Sequence, residues 1–138
     1  MVNGDELLSK DEIFGMDDIP VEEVIVPEWK NRKVLVCGLT AAGKNAYQAS
    51  LLEIKGSSRR VRMENALAKL LVRTIVNRQR QPIFTETDIE RLGGKSAAAL
   101  ERLATVANRL SGMHEQENAE LVKNSDAAQS GDSPIVLP

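Results

Sequence analysis

The stretch VLVCGLTAAGKN, Val34 to Asn45, decides how this chain is read: an apolar strand runs into Gly38, four residues follow, and Gly43-Lys44 comes next. This nearly spells a phosphate-binding P-loop. The motif needs a Ser or Thr hydroxyl straight after the lysine to hold Mg²⁺ against the nucleotide phosphates, and position 45 is Asn. A simpler reading makes Thr40 the N-cap of a helix over about residues 41–55, with Tyr47, Leu51 and Ile54 as its apolar stripe and Gly56-Ser57-Ser58 as its end. Gly43 and Lys44 then belong to ordinary first turns, at the modest destabilisation of an internal glycine.

Length favours the second reading. The chain has 138 residues with charged flanks, which leaves room for one domain of roughly 100 residues. A nucleoside-triphosphatase core needs several parallel strands, each strand-helix-strand unit taking about 30 residues. A nucleotide-binding protein using residues 38–45 is therefore kept only as a rival.

Upstream of the deciding stretch, Val24 and Val26 precede Pro27, and Val34 and Val36 follow the polar loop Trp29-Lys30-Asn31-Arg32. Two β-branched runs around a short loop predict a β-hairpin over residues 21–38, with Pro27 at a strand end because it cannot donate to a ladder. Trp29, the only tryptophan, folds over that hairpin in the plain reading and is a partner-binding anchor in the sharper one. Further upstream, Ser9 with Asp11 and Glu12 predicts a capped helical turn ending at Gly15, inside an acidic, weakly ordered segment 1–18.

Downstream, Met63, Leu67, Leu70, Leu71, Thr74 and Ile75 recur at helical spacing and predict a long helix over 59–80. Its other faces would carry Arg59, Arg60, Arg62, Lys69, Arg73, Arg78 and Arg80 against Glu64 alone. A solvated face is the default meaning, a surface for acidic protein segments the next. Nucleic acid comes third, because the chain is acidic overall and has only four aromatic residues to stack bases. Thr85, with Asp88 three residues on and Phe84 and Ile89 as a hydrophobic staple, starts a short helix over 86–92 that Gly93-Gly94 ends. Ser96 caps a last helix over 97–111, with a seam of Leu100, Leu103, Ala107 and Leu110 for packing on a neighbouring helix or on another copy. The remainder, 114–138, is polar and acidic and is expected to be disordered, apart from the apolar end Pro134–Pro138.

One cysteine, Cys37, and one histidine, His114, leave no Cys/His metal cluster and no nucleophile-histidine pair, so no catalytic, cofactor or metal residue is assigned. Cys37 reads as a small core residue and His114 as a solvated one. Apolar runs of only a few residues predict a soluble, intracellular protein without a membrane span. Charge is segregated. Met1 to Glu28 holds nine acids and one lysine, Trp29 to Met113 sixteen bases and six acids, and His114 to Pro138 five acids and one lysine. Acidic flanks around a basic middle can screen it, or pair with it in neighbouring copies.

In order, Val26 to Trp29, Val34 to Thr40, the basic stretch Arg59 to Arg80, Phe84 to Ile89, Leu92 to Gly94, Lys95 to Leu100 and Arg109 to Gly112 resemble the tail assembly chaperones of long-tailed, siphovirus-like bacteriophages. The resemblance spans residues 19–113. One departure is Ala42-Gly43-Lys44, where an acidic residue is expected at that helix start.

The resemblance implies a non-catalytic chaperone without cofactors. It would bind the helical tape measure protein before tail tube subunits polymerise, acting in the host cytoplasm and leaving before the virion is complete. It also implies a longer frameshifted product, extended from the 114–138 tail, that recruits tail tube protein; the basic middle and acidic flanks predict a homo-oligomer of copies stacked head to tail, weaker in high salt. The expectation is an α+β, mostly α fold: one compact domain over 19–113, an N-terminal hairpin followed by about four helices, between acidic flexible ends. Partner contacts are expected from Trp29, Arg59, Arg60, Arg62, Arg73, Leu100, Leu103 and Leu110. The alternative is a small nucleic-acid-binding module using the basic helix 59–80.

Overall fold

A computed structural model describes residues 6–113. The two β-branched runs pair as an antiparallel hairpin, β1 (Val21–Val26) and β2 (Arg32–Cys37), in register from Val21 opposite Cys37 to Val26 opposite Arg32. Pro27 opens the 3₁₀ turn Pro27–Trp29, where its missing N–H costs no ladder bond. Lys30 and Asn31 take left-handed backbone angles, φ 62° and 58°, and the Asn31 N–H donates to the Val26 carbonyl at 3.1 Å, turning the chain back. Alternation then sends Val24, Val26 and Val36 to the buried face and Ile25 and Lys33 outward.

α2 (Ala41–Ser50) starts where its cap is legible: the Thr40 Oγ1 accepts from the Gly43 N–H at 2.9 Å. It stops at Ser50, not near residue 55. Leu52-Glu53-Ile54-Lys55 alternates apolar and charged side chains, a period of two, and forms β3 (Leu52–Lys55). Gly56, at φ 59°, turns it, and β4 (Ser58–Val61) pairs back with Lys55 opposite Ser58 and Leu52 opposite Val61.

The expected long helix over 59–80 is thus replaced by three elements. β4 takes its start, α3 (Ala66–Thr74) its middle, and the β-branched pair that follows Thr74 becomes β5 (Ile75–Val76), antiparallel to β2 with Ile75 opposite Val36. The three-stranded sheet runs β1-β2-β5, and β3-β4 form a separate arm. Past β5, the Asn77 Oδ1 accepts from the Gln79 and Gln81 amides at 2.9 and 3.0 Å, closing a tight loop.

The later caps hold as read. The Thr85 N–H donates to the Asp88 carboxylate at 2.9 Å ahead of α4 (Ile89–Gly93), and the Ser96 Oγ accepts from the Ala99 N–H at 3.2 Å at the start of α5 (Ala97–Leu110). Near the N-terminus, Ser9 and Glu12 form a reciprocal capping box on α1 (Lys10–Phe14), and the Gly15 N–H donates to the Asp11 carbonyl. The fold is α+β, with four α-helices after the first hairpin among the described residues, as expected; the β3-β4 arm is the addition. The expectations for 114–138 and His114 lie outside the described residues.

α5 lies across the sheet and against α3, with Ala99, Leu100, Leu103, Ala104 and Ala107 buried. Its alanines let the helix approach closely, and Leu70, Leu71, Val72, Tyr47, Leu51, Leu92 and Met113 complete the core. On its outer side, Arg102 pairs with Glu28 at 3.0 Å and Arg109 with Glu22 at 2.8 Å, one pair at each end of β1. Gly38 lies where β2 meets the C-terminus of α5; a Cβ there would come within 2.5 Å of the Leu110 carbonyl oxygen.

Candidate interaction surface

The near-P-loop is engaged in packing. The Gly38 N–H donates to the Pro20 carbonyl at 2.9 Å, the Leu39 N–H to the Ser111 Oγ at 2.8 Å, the Gly43 N–H to the Thr40 Oγ1 and the Lys44 N–H to the Thr40 carbonyl. A P-loop must aim such amides at phosphate, and here they are spent. β2 is also antiparallel to both its neighbours, unlike the strand of a βαβ nucleotide site.

The cations expected on one helix are scattered. Arg59 and Arg60 stand on β4 in the arm, beside Lys55 and an Ile54 that is 63% exposed. Arg62 meets Glu64 at 2.7 Å and Glu53 at 3.5 Å. The half-buried Arg73 donates to the Lys69 carbonyl at 3.0 Å and reaches Glu86 at 3.3 Å. Arg78 reaches Glu23, and Arg80 reaches Asp17 at 2.8 Å. The nucleic-acid alternative needed a continuous basic helix, and the chain does not build one.

Leu100 and Leu103, expected at a partner surface, are 2% and 0% exposed and belong to the core. The seam that suggested a contact with another copy is satisfied by α3 within the chain. Leu110 is half-buried beside Gly38.

Trp29 is half-buried against the core and lines a groove of about 810 Å³ with Ile83, Phe84 and Leu92. Arg91 and Lys95 stand at its rim, exposed and in no ion pair among the described residues. Asp88, also at the rim, uses its carboxylate on the Thr85 N–H. The result is an apolar floor under a rim of net positive charge, Arg91 and Lys95 against Asp88. On the other side of Phe84, a second groove of about 550 Å³ runs past Met16, Ile19, Cys37, Leu39 and Val76. Burial there pushes the Cys37 thiol pKa up.

Sequence reasoning missed Ile83, Arg91 and Lys95. Ile83 had one signal, an apolar residue between Pro82 and the staple Phe84, where only one of the two side chains can turn inward; it is 54% exposed.

Compared with known proteins, residues 16–125 match the profile of the phage tail assembly chaperone family. The fold is similar to the solved structure of the bacteriophage HK97 tail assembly chaperone, with a TM-score of 0.53 over 72% of this chain and 88% of that one, at 19% identity. No curated protein matches the sequence.

Proposed function

The chain belongs to the phage tail assembly chaperone family, and on that premise we propose that it acts without catalysis, keeping the tape measure protein soluble until tail tube subunits polymerise around it. It works in the host cytoplasm during assembly and is absent from the finished virion. Copies associate with one another. A longer, frameshifted product that continues from the acidic tail recruits the tube subunits.

The observation that carries this reading is the groove of Trp29, Ile83, Phe84 and Leu92 beneath Arg91 and Lys95, which form no ion pair among the described residues. A long helical protein awaiting assembly exposes apolar stripes that would otherwise aggregate. A groove with an apolar floor accepts such a stripe, and a cationic rim favours acidic flanks on it. Ile54 on the arm, with Arg59 opposite it across the β3-β4 pair, offers a second exposed apolar side chain beside a cation.

Capture on immobilised tape measure protein tests it. Wild-type chain should be retained, and Ile83→Asp, at an exposed position, should bind at least ~10-fold more weakly, equivalent to about 1.4 kcal/mol, while keeping its circular dichroism spectrum. Failure of wild-type chain to bind, or equal retention of the two, would overturn the proposal.

A further inference from the structure

We propose that α1 of one copy docks in the Trp29–Ile83–Phe84–Leu92 groove of a second copy, with Ile13 and Phe14 on the groove floor and the acids of α1 facing Arg91 and Lys95. α1 is built to be presented. Its capping box, Ser9 with Glu12, holds the turn without help from the core, and none of its residues is buried. Yet Leu7, Leu8, Ile13, Phe14 and Met16 are 79%, 52%, 53%, 79% and 50% exposed. Single exposed apolar side chains are ordinary; five within ten residues form a contact surface.

Charge identifies the partner. Residues 6–18 carry Glu6, Asp11, Glu12, Asp17 and Asp18 against Lys10 alone. The groove presents the opposite net sign, Arg91 and Lys95 against Asp88. Its volume of about 810 Å³ has room for large apolar side chains. The root of the segment is anchored by Asp17 to Arg80 and by the Pro20 carbonyl to the Gly38 N–H, so α1 stands on a fixed base with its apolar side chains uncovered by the other described residues.

Such a contact joins unlike surfaces, α1 of one copy and the groove of another. This gives the self-association of the proposed function a site. It rests on that part of the reading alone, and its test contains no tape measure protein. Because the client uses the same groove, α1 and client compete for it.

Sedimentation velocity of the full chain over a wide concentration series tests the docking with two variants. Phe14→Asp removes the docking side chain at a 79% exposed position, and Arg91→Glu with Lys95→Glu reverses the rim. Wild-type mass should rise with concentration, and each variant alone should stay monomeric. An equimolar mixture of the two should form a 1:1 pair and stop, since only one competent α1 and one competent groove remain. A labelled peptide of residues 6–17 should bind the Phe14→Asp chain and not the charge-reversed one. Wild-type chain that is monomeric throughout, a variant that associates like wild type, or a mixture without the pair would each overturn the proposal.

Discussion

Replacing Gly38 with alanine tests the reason this chain carries a glycine at the end of β2. The added Cβ would lie 2.5 Å from the Leu110 carbonyl oxygen and 3.0 Å from its carbon, with the Pro20 Cδ at 3.4 Å. The first two are backbone atoms of α5, so no rotamer change relieves the clash. β2 and the C-terminus of α5 must separate. Overpacking of this kind costs about 1–3 kcal/mol. The separation also strains the Leu39 N–H to Ser111 Oγ bond, 2.8 Å long, worth about 0.5–1.5 kcal/mol. A loss of roughly 2–4 kcal/mol follows, and at ~4–8 °C per kcal/mol it lowers Tm by roughly 8–32 °C. Urea unfolding should show a lower midpoint with an unchanged slope. Gly94→Ala is the control, because its nearest contact, the Arg91 carbonyl oxygen at 3.4 Å, is ordinary; it should change stability by less than ~0.5 kcal/mol. If Gly38→Ala is as stable as the control, the close approach is not the reason for the glycine and the packing account of the near-P-loop fails.

Three further outcomes follow from side chains whose surroundings are defined. Leu103 is 0% exposed, so Leu103→Ala should cost about 2–5 kcal/mol in urea unfolding, without weakening client capture per folded molecule. The Glu28 carboxyl is held below its ordinary pKa of 4.5, first by the hydrogen bond from Arg102. Its contribution is thus fully present above the unfolded pKa and is lost as pH falls through the folded one; the stability gap between wild type and Glu28→Gln should close on acidification below 4.5. Burial raises the Cys37 thiol above 9.0, so alkylation below that pH should be markedly slower in the folded chain than in denaturant.

The sequence was most legible where one side chain settles one local choice. Ser9, Thr40, Thr85 and Ser96 each mark a helix start, and the structure forms a capping bond at each. The first hairpin was equally clear, since Pro27 and the β-branched runs leave little else to build. The region 51–76 misled because two periods overlap. Leu67, Leu70, Leu71 and Thr74 do lie on a helix, but extending their rhythm back to residue 59 absorbed Val61, and extending the Tyr47-Leu51 stripe to residue 55 absorbed Leu52 and Ile54; these alternate with charged or polar neighbours around Gly56-Ser57. That alternation is a hairpin signal, overridden by counting only helical spacings. Ile75 and Val76 then leave the helix because a place beside β2 exists for them, which is tertiary information. The surface was read less well for a related reason. A leucine seam looks the same whether it faces α3 or another protein, and Leu103 is settled only by what packs on it. Ile83, Arg91 and Lys95 come together only once α4 folds beside Trp29.

Co-expression of this chain with the tape measure protein, followed by light scattering of the soluble fraction, tests the central claim most directly. The account predicts a soluble complex holding several copies of the chain per tape measure protein. An aggregated tape measure protein beside free, uncomplexed chain would contradict it.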